Sequence, residues 1–221
     1  MKILVLVLSF HDNGLYSYLY KTQKETWDSI NNKDVDVFYY FGSSDKNYIK
    51  DKEIYVTTKD HNYTFNHLGR KFLEALSLVA NYEFDYIFKT NSSSYIDKQK
   101  LLEFIEDKPK NNLYCGIMSN FNNINYISGA GTYLSKDLVH YILNNQHQWN
   151  HNLIEDVAIG EILSKNNIIL SPGKRFDLTE ATYTPFQEID SSHYHYRCKM
   201  ASNRSLDILN MHKIFNIKNR N

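Results

Sequence analysis

The sequence predicts an α/β protein, a three-layer α/β/α sandwich around a mostly parallel central sheet, as one domain over residues 1–221. Three observations predict it. The chain opens on a continuous apolar run, Ile3 to Leu8, of the kind seen in strands covered on both faces. Strand-like and helix-like segments then alternate through the first half. The second half mixes short strand segments with helices, so the sheet is not expected to be wholly parallel.

Each element has its own signal. Leu15 to Ile30 reads as a helix, with Leu15, Tyr18, Leu19, Thr22 and Trp27 on roughly one side. Val35 to Phe41 is β-branched and aromatic and stops at Gly42, so it reads as a second strand, with Ile54 to Thr57 as a short third. Phe65, Leu68, Phe72, Ala75, Leu76 and Val79 follow the helical period. Tyr86 to Lys89 is a strand that ends in a cluster of small polar residues. Asp97 caps a helix through Ile105, with Pro109 just beyond its end. Strands follow at Leu113 to Met118 and Tyr126 to Ser128, then a turn at Gly129-Ala130-Gly131. Ser135 caps a helix through Leu143. Ile154 to Leu163 is a helix, Ile168 to Leu170 a strand, and Ser205 to Phe215 the last helix.

Composition narrows the function. Lys plus Arg number 25 and Asp plus Glu 25, a balance that argues against bulk binding to nucleic acid or an anionic membrane. Cys115 and Cys198 are far apart and outside any metal-ligand spacing, which suits a reducing, cytoplasmic compartment. MKILVLVLSF could be taken for a signal peptide. A first buried strand explains it better, because the run is short, Lys2 is its only charge and no cleavage site follows. No stretch approaches the about 18 apolar residues of a membrane span. Sequons at Asn62, Asn91 and Asn203 are what an Asn-rich chain produces by chance. The turn SFHDNG after the first strand lacks the G-x-G-x-x-G of nicotinamide-binding folds.

The candidate site residues fall into four groups. Phe84 to Asp97, FDYIFKTNSSSYID, places Lys89, Asn91, Ser92 and Ser93 at a strand end, where an open α/β sheet holds its ligand. Gly129, Ala130 and Gly131 would let backbone approach a ligand closely, or simply make a tight turn. Glu155 and Asp156 open a helix, either as an acid–base pair or as complements to its dipole. Alternation puts His193, His195, Arg197 and Lys199 on one strand face, either as an anion site or as a charged, solvated edge. Two His at that spacing could also hold zinc, but no third ligand is near in sequence.

Four segments in order resemble the Fringe-like and β-1,3-galactosyl- and N-acetylglucosaminyl-transferase family of GT-A glycosyltransferases. They are Lys21 to Trp27, like basic-x-x-x-x-Thr-Trp; Asp60 to Arg70, like D-x-x-D-x-Y-x-N-L-T-x-K; Tyr126 to Ser135, like Y-x-S-G-x-G-Y-x-L-S; and Ile154 to Gly160, like E-D-V-x-x-G. The resemblance implies a GT-A (Rossmann-like) fold, a nucleotide-diphosphate sugar donor (a UDP-sugar), a glycan acceptor and inverting transfer. It makes Asp156 the base and Glu155 its partner. It puts donor contacts at Ser9, Phe10, Arg70, Lys89, Asn91, Ser92, Ser93, Arg197 and Lys199, with His11 and Asp12 near the base and ribose. The family's acidic metal cluster is replaced here by Asn91-Ser92-Ser93. Mn²⁺ or Mg²⁺ is therefore disfavoured, with His193 or His195 as the only late-histidine ligands to consider. The alternative is a catalytically silent GT-A-like domain that binds a glycan or a nucleotide sugar.

Overall fold

The computed structural model describes residues 1–12, 14–60, 65–178 and 189–219, without the side chains of Phe65 and Asn66. His61, Asn62, Tyr63 and Thr64 of the Asp60 to Arg70 segment thus lie outside the described residues.

The elements run β1 (Ile3–Leu8), α1 (Leu15–Glu25), β2 (Val35–Phe41), β3 (Tyr48–Lys50), β4 (Glu53–Tyr55), α2 (Phe65–Val79), β5 (Tyr86–Asn91), β6 (Ser94–Ile96), α3 (Lys98–Ile105), β7 (Tyr114–Phe121), β8 (Ile124–Ser135), α4 (Lys136–Asn144), α5 (Glu155–Ser164), β9 (Leu170–Pro172), β10 (Phe176–Asp177), β11 (His195–Arg197) and α6 (Ser205–Lys218). The main sheet has the order β3-β4-β2-β1-β5-β8-β7-β9, and β10-β11-β6 form a small second sheet. The run β4-β2-β1-β5 is parallel, as is β7–β9, while β8 joins β5 and β7 antiparallel.

β1 shows why this is a sandwich. Its residues are apolar on both faces, and alternation sends Ile3, Val5 and Val7 one way, Leu4 and Leu6 the other. The first face packs against Leu19 of α1, Leu101 and Ile105 of α3, and Met211 and Ile214 of α6. The second packs against Phe72 and Leu76 of α2, Leu138 of α4, and Ile159 and Ile162 of α5. The apolar N-terminal run is therefore a central strand. No described helix is long and apolar enough to cross a membrane.

Several expectations need correction. The first helix stops at Glu25, and Trp27–Ser29 forms a separate 3-10 turn. Thr22 and Thr26 donate their hydroxyls to carbonyls four residues back, at 2.8 Å and 2.6 Å, a competition that weakens an α-helix. Tyr18 faces solvent, and the buried stripe is Leu19, Thr22 and Gln23. The third strand belongs to a β3–β4 hairpin, and β9 begins two residues later than expected. Asp97 does cap α3, accepting from the Lys100 N–H at 3.0 Å. Ser135 precedes α4 as expected but makes no capping bond; its hydroxyl donates to Asp137 at 2.6 Å instead.

The largest departure concerns Gly129-Ala130-Gly131, which is not a turn but the middle of the twelve-residue strand β8. The glycines are there for close approach, a known use of Gly inside a strand. A Cβ on Gly131 would lie 2.4 Å from Nδ1 of His195, and its φ of +132° is one that side chains rarely adopt. Gly131→Ala is expected to destabilise the protein by about 1–3 kcal/mol, the usual cost of overpacking. Gly14→Ala meets only ordinary contacts, the nearest 3.6 Å away, and should leave the thermal midpoint nearly unchanged. Equal midpoints for the two variants would show that β8 does not need this glycine.

Candidate active site

The site is built at the carboxyl ends of the parallel strands. Leu8 and Asn91 are in register at the ends of β1 and β5. The turn from Asn91 to Ser94 that follows is pinned from below. Gln23 donates to the carbonyls of Asn91 at 3.2 Å and Ser94 at 2.8 Å, and the Trp27 indole donates to Ser94 O at 3.1 Å. Lys21 to Trp27 thus carries the anchors of the Asn-Ser cluster. Above the turn lies a cavity of about 160 Å³ lined by Leu8, Phe10, Tyr16, Leu68, Asn91, Ser92, Ser93, Lys199 and Arg204. Among the described residues that line it, none is a carboxylate.

The loop after β1 is held by a buried ion pair. Lys71, 1% exposed, donates to Ser9 O and to Asp60, and its ammonium sits 4.2 Å from the Phe10 ring. Asp60 also accepts from the backbone N–H of His11 at 3.2 Å and of Gly42 at 3.0 Å. Burial pulls the Lys71 pKa down to about 8, against the opposing pull of Asp60. Arg70, by contrast, is exposed beside Thr58, Lys59 and His67, so the cation that turns inward is its neighbour. The helical period explains this, since 68, 71, 75 and 79 share a face and 70 does not. Ser9 is buried and bonds Tyr40 O through its N–H at 3.1 Å. His11 stacks on Phe41 with ring centroids 4.3 Å apart, and Asp12 accepts from Ser17 N–H at 2.9 Å to start α1.

The two carboxylates at the start of α5 do different things. Glu155 is 4% exposed and pairs with Lys89 at 3.1 Å. Burial pushes its pKa up, while Lys89 opposes the shift. Lys89 also donates to Gly129 O at 3.0 Å, and the Gly129 N–H donates to Asp156 Oδ2 at 2.9 Å. One residue, Gly129, therefore ties the buried pair to Asp156, which remains partly exposed. A Cβ on Gly129 would lie 3.0 Å from the Lys89 ammonium and 3.2 Å from Asp156 Cβ, which is why glycine stands there.

The basic C-terminal segment is only partly in register. β11 covers His195 to Arg197 and ends before Lys199, which is exposed and lines the cavity. His193 lies against Phe176 and Tyr196, and alternation puts Tyr196 on the face of β11 opposite His195. The four residues therefore do not share a face. His195 is buried, with Nε2 2.9 Å from Ser94 Oγ, beneath the Asn-Ser turn. Arg197 has a buried Nε without a hydrogen-bond partner, and its charge is felt by Asp156, Arg175 and Arg204.

Three cations escaped the sequence reading. Lys71 could have been found from the helical period. Arg175 forks onto Asp177 at 2.8 and 3.1 Å and donates to Ser128 Oγ at 2.9 Å, steadying β8. Arg204 donates to Ser93 Oγ at 2.7 Å and to Asp207 at 2.8 Å. Their carboxylate partners are local, but nothing in the sequence announces the contacts that bring them to the site, with Ser128 and Ser93, which are remote in the chain.

These residues do not fit a divalent cation. Asn91, Ser92 and Ser93 offer neutral oxygens, whereas hard cations are usually held through carboxylates. Arg204 already occupies Ser93 Oγ, and Lys199 adds a second positive charge. No grouping of three His, Cys, Asp or Glu suited to a metal occurs among the described residues. A larger groove of about 940 Å³, between Met118 to Asn125 and Ser164 to Leu170, is lined by no titratable side chain among the described residues.

His195 gives a pH signature. Burial, with help from Arg175 and Arg197, holds its pKa well below 6.5. The unfolded chain takes up that proton first, so this stabilisation is complete above about pH 6.5 and is lost as pH falls towards the folded-state value. His195→Gln should therefore lose less thermal stability than the parent between about pH 7.5 and pH 5. Parallel melting-temperature profiles would contradict this.

No protein-family model matches the chain, and no curated protein matches it. Among solved structures, it is similar to a glycosyltransferase involved in the glycosylation of the major capsid of PBCV-1. That similarity covers 96% of this chain and 100% of that one, with TM-score 0.56 and 14% identity. The apo-form glycosyltransferase GlyE of Streptococcus pneumoniae TIGR4 is similar over 77% of this chain and 45% of its own, with TM-score 0.42 and 12% identity. The first likeness shows the fold: this chain has a mixed α/β, GT-A-like architecture in common with a solved glycosyltransferase.

Proposed function

We propose that the chain is a glycosyltransferase that moves a sugar from a nucleotide-diphosphate donor, a UDP-sugar, to a hydroxyl of a glycan acceptor, with inversion and without a metal. The observation that carries this reading is a partly exposed carboxylate, Asp156, fixed by the Gly129 N–H and lying within the field of Arg197. Arg197 is also within the field of Arg204, which lines the cavity with Lys199. The GT-A-like fold and the four Fringe-like segments support it.

The chemistry needs a base on one side of the anomeric carbon and positive charge on the other. Asp156 takes the proton of the acceptor hydroxyl. The acceptor oxygen bonds to the anomeric carbon as the bond to the donor phosphate oxygen breaks, and that electron pair leaves with the nucleoside diphosphate. Arg197 and Lys199 face the departing charge, Arg through its planar fork and Lys as a point charge. Glu155, buried and paired with Lys89, holds the helix end in place rather than exchanging protons. Phe10, Asn91, Ser92 and Ser93 bound the donor side, with Ser9 and Lys89 buried behind them as supports. Gly129, beside Asp156, borders the sugar, while Ala130 and Gly131 are buried. Arg70, on the outer face of α2, has no part in this arrangement.

A second reading is a silent domain that binds a glycan or nucleotide sugar without turnover. The neutral Asn91-Ser92-Ser93 turn is what favours it. Asp156→Asn separates the two. Turnover should fall by about 10²- to 10⁴-fold, the usual contribution of general base catalysis, while calorimetric affinity for the UDP-sugar is unchanged. An unchanged rate would remove Asp156 from the mechanism. A parent protein that binds a donor but turns over none, across UDP-, GDP- and CMP-sugars, would favour the silent domain.

A further inference from the structure

Arg204 stands at the start of α6, far in sequence from every segment that carries the family resemblance. Its guanidinium is nonetheless brought to the end of β5. Nε donates to Asp207 Oδ2 at 2.8 Å, one terminal nitrogen donates to Ser93 Oγ at 2.7 Å, and Cζ lies 5.9 Å from the Tyr16 ring centroid. Asp207 is fully buried and accepts a further bond, from the Met200 N–H at 2.7 Å. The guanidinium is therefore held on several sides before any ligand arrives, and an arginine has five N–H donors. It lines the same cavity as Asn91, Ser92, Ser93 and Lys199.

We propose that Arg204 is the principal diphosphate-binding cation of this chain, standing on Ser93 where a carboxylate-held metal ion would otherwise stand. The proposal rests on the donor side of the function above and assigns the leaving group's partner. Serine at position 93 matters to it. Asp207 already balances the guanidinium from its buried side. A hydroxyl at position 93 orients it without adding a second negative charge, whereas an aspartate there would leave the site net negative. Preorganised donors of this kind stabilise developing charge without reorganising during the reaction. During transfer the phosphate oxygen leaves with the bonding electron pair, and Arg204 receives that charge through hydrogen bonds while keeping its proton. Arg197 and Lys199 flank it as secondary cations.

The test is calorimetric titration in EDTA with inorganic pyrophosphate, UDP and uridine. The variants are Arg204→Gln/Asp207→Asn, which removes both halves of the buried pair together, and Arg204→Lys, which keeps the charge but loses the fork. Pyrophosphate and UDP should each bind about 10- to 100-fold more weakly to the double variant, the loss expected for charge-assisted hydrogen bonds. Uridine affinity should not change. Arg204→Lys should fall between parent and double variant, and it answers the question if the double variant fails to fold. Unaltered pyrophosphate affinity in either folded variant would overturn the proposal, as would a parent that binds no pyrophosphate. A parent that binds pyrophosphate through Arg204 but no nucleoside diphosphate would uphold the anion site and sink the glycosyl-transfer reading instead.

Discussion

The site depends on one buried ion pair, Lys89 with Glu155. Both side chains are nearly inaccessible, at 3% and 6% exposure, so neither charge is comfortable alone. Breaking such a pair from one side commonly costs about 3–5 kcal/mol, because the remaining charge stays buried. The pair is the meeting point of three elements: β5 supplies Lys89, α5 supplies Glu155, and β8 supplies the Gly129 carbonyl that shares the ammonium. Everything nearby is arranged to tolerate it. Gly129 leaves room for it, the Gly129 N–H passes its position on to Asp156, and Lys71 adds a second positive field at Glu155.

A division of labour between adjacent carboxylates follows. Glu155 gives up solvent to fix the geometry, and Asp156, one residue on, stays partly exposed. The second buried pair, Lys71 with Asp60, does for the loop after β1 what Lys89 does for β8. The small β10-β11-β6 sheet does the same for the basic segment, with Arg197 opposite Ser94 in register. The result, among the described residues, is a cavity lined by Lys199 and Arg204 and by no carboxylate, with a partly exposed carboxylate, Asp156, fixed on Gly129. In the proposed transfer that charge pattern is the place for an anionic leaving group.

Much of this was legible from the residues. The apolar run of β1, the β-branched run of β2 and the helical stripe of α2 report burial directly, and burial decides where these elements sit. The Glu155-Asp156 pair and the polar strand end at Asn91 were visible as polar residues at the ends of elements. Position relative to remote partners was not. Gly129 to Gly131 looks like a turn because local sequence cannot show that Lys89, Asp156 and His195 crowd a strand. Arg70 and Lys71 differ only in helical phase. Arg175 and Arg204 have local carboxylates in Asp177 and Asp207, but they gain their roles from Ser128 and Ser93, contacts that no local pattern announces. The alternation through His193 to Lys199 held only for the residues that pair in β11.

The measurement that bears most directly on a metal-free glycosyl transfer at this site is the initial rate of UDP-sugar turnover as free Mn²⁺ is raised from zero, with EDTA setting the zero point. A rate that is present in EDTA and changes little with Mn²⁺ is the predicted result, because the positive charge is already supplied by arginine and lysine. A rate that is absent in EDTA and rises with Mn²⁺ would contradict it, and would mean that Asn91, Ser92 and Ser93 hold a cation despite Arg204 and Lys199.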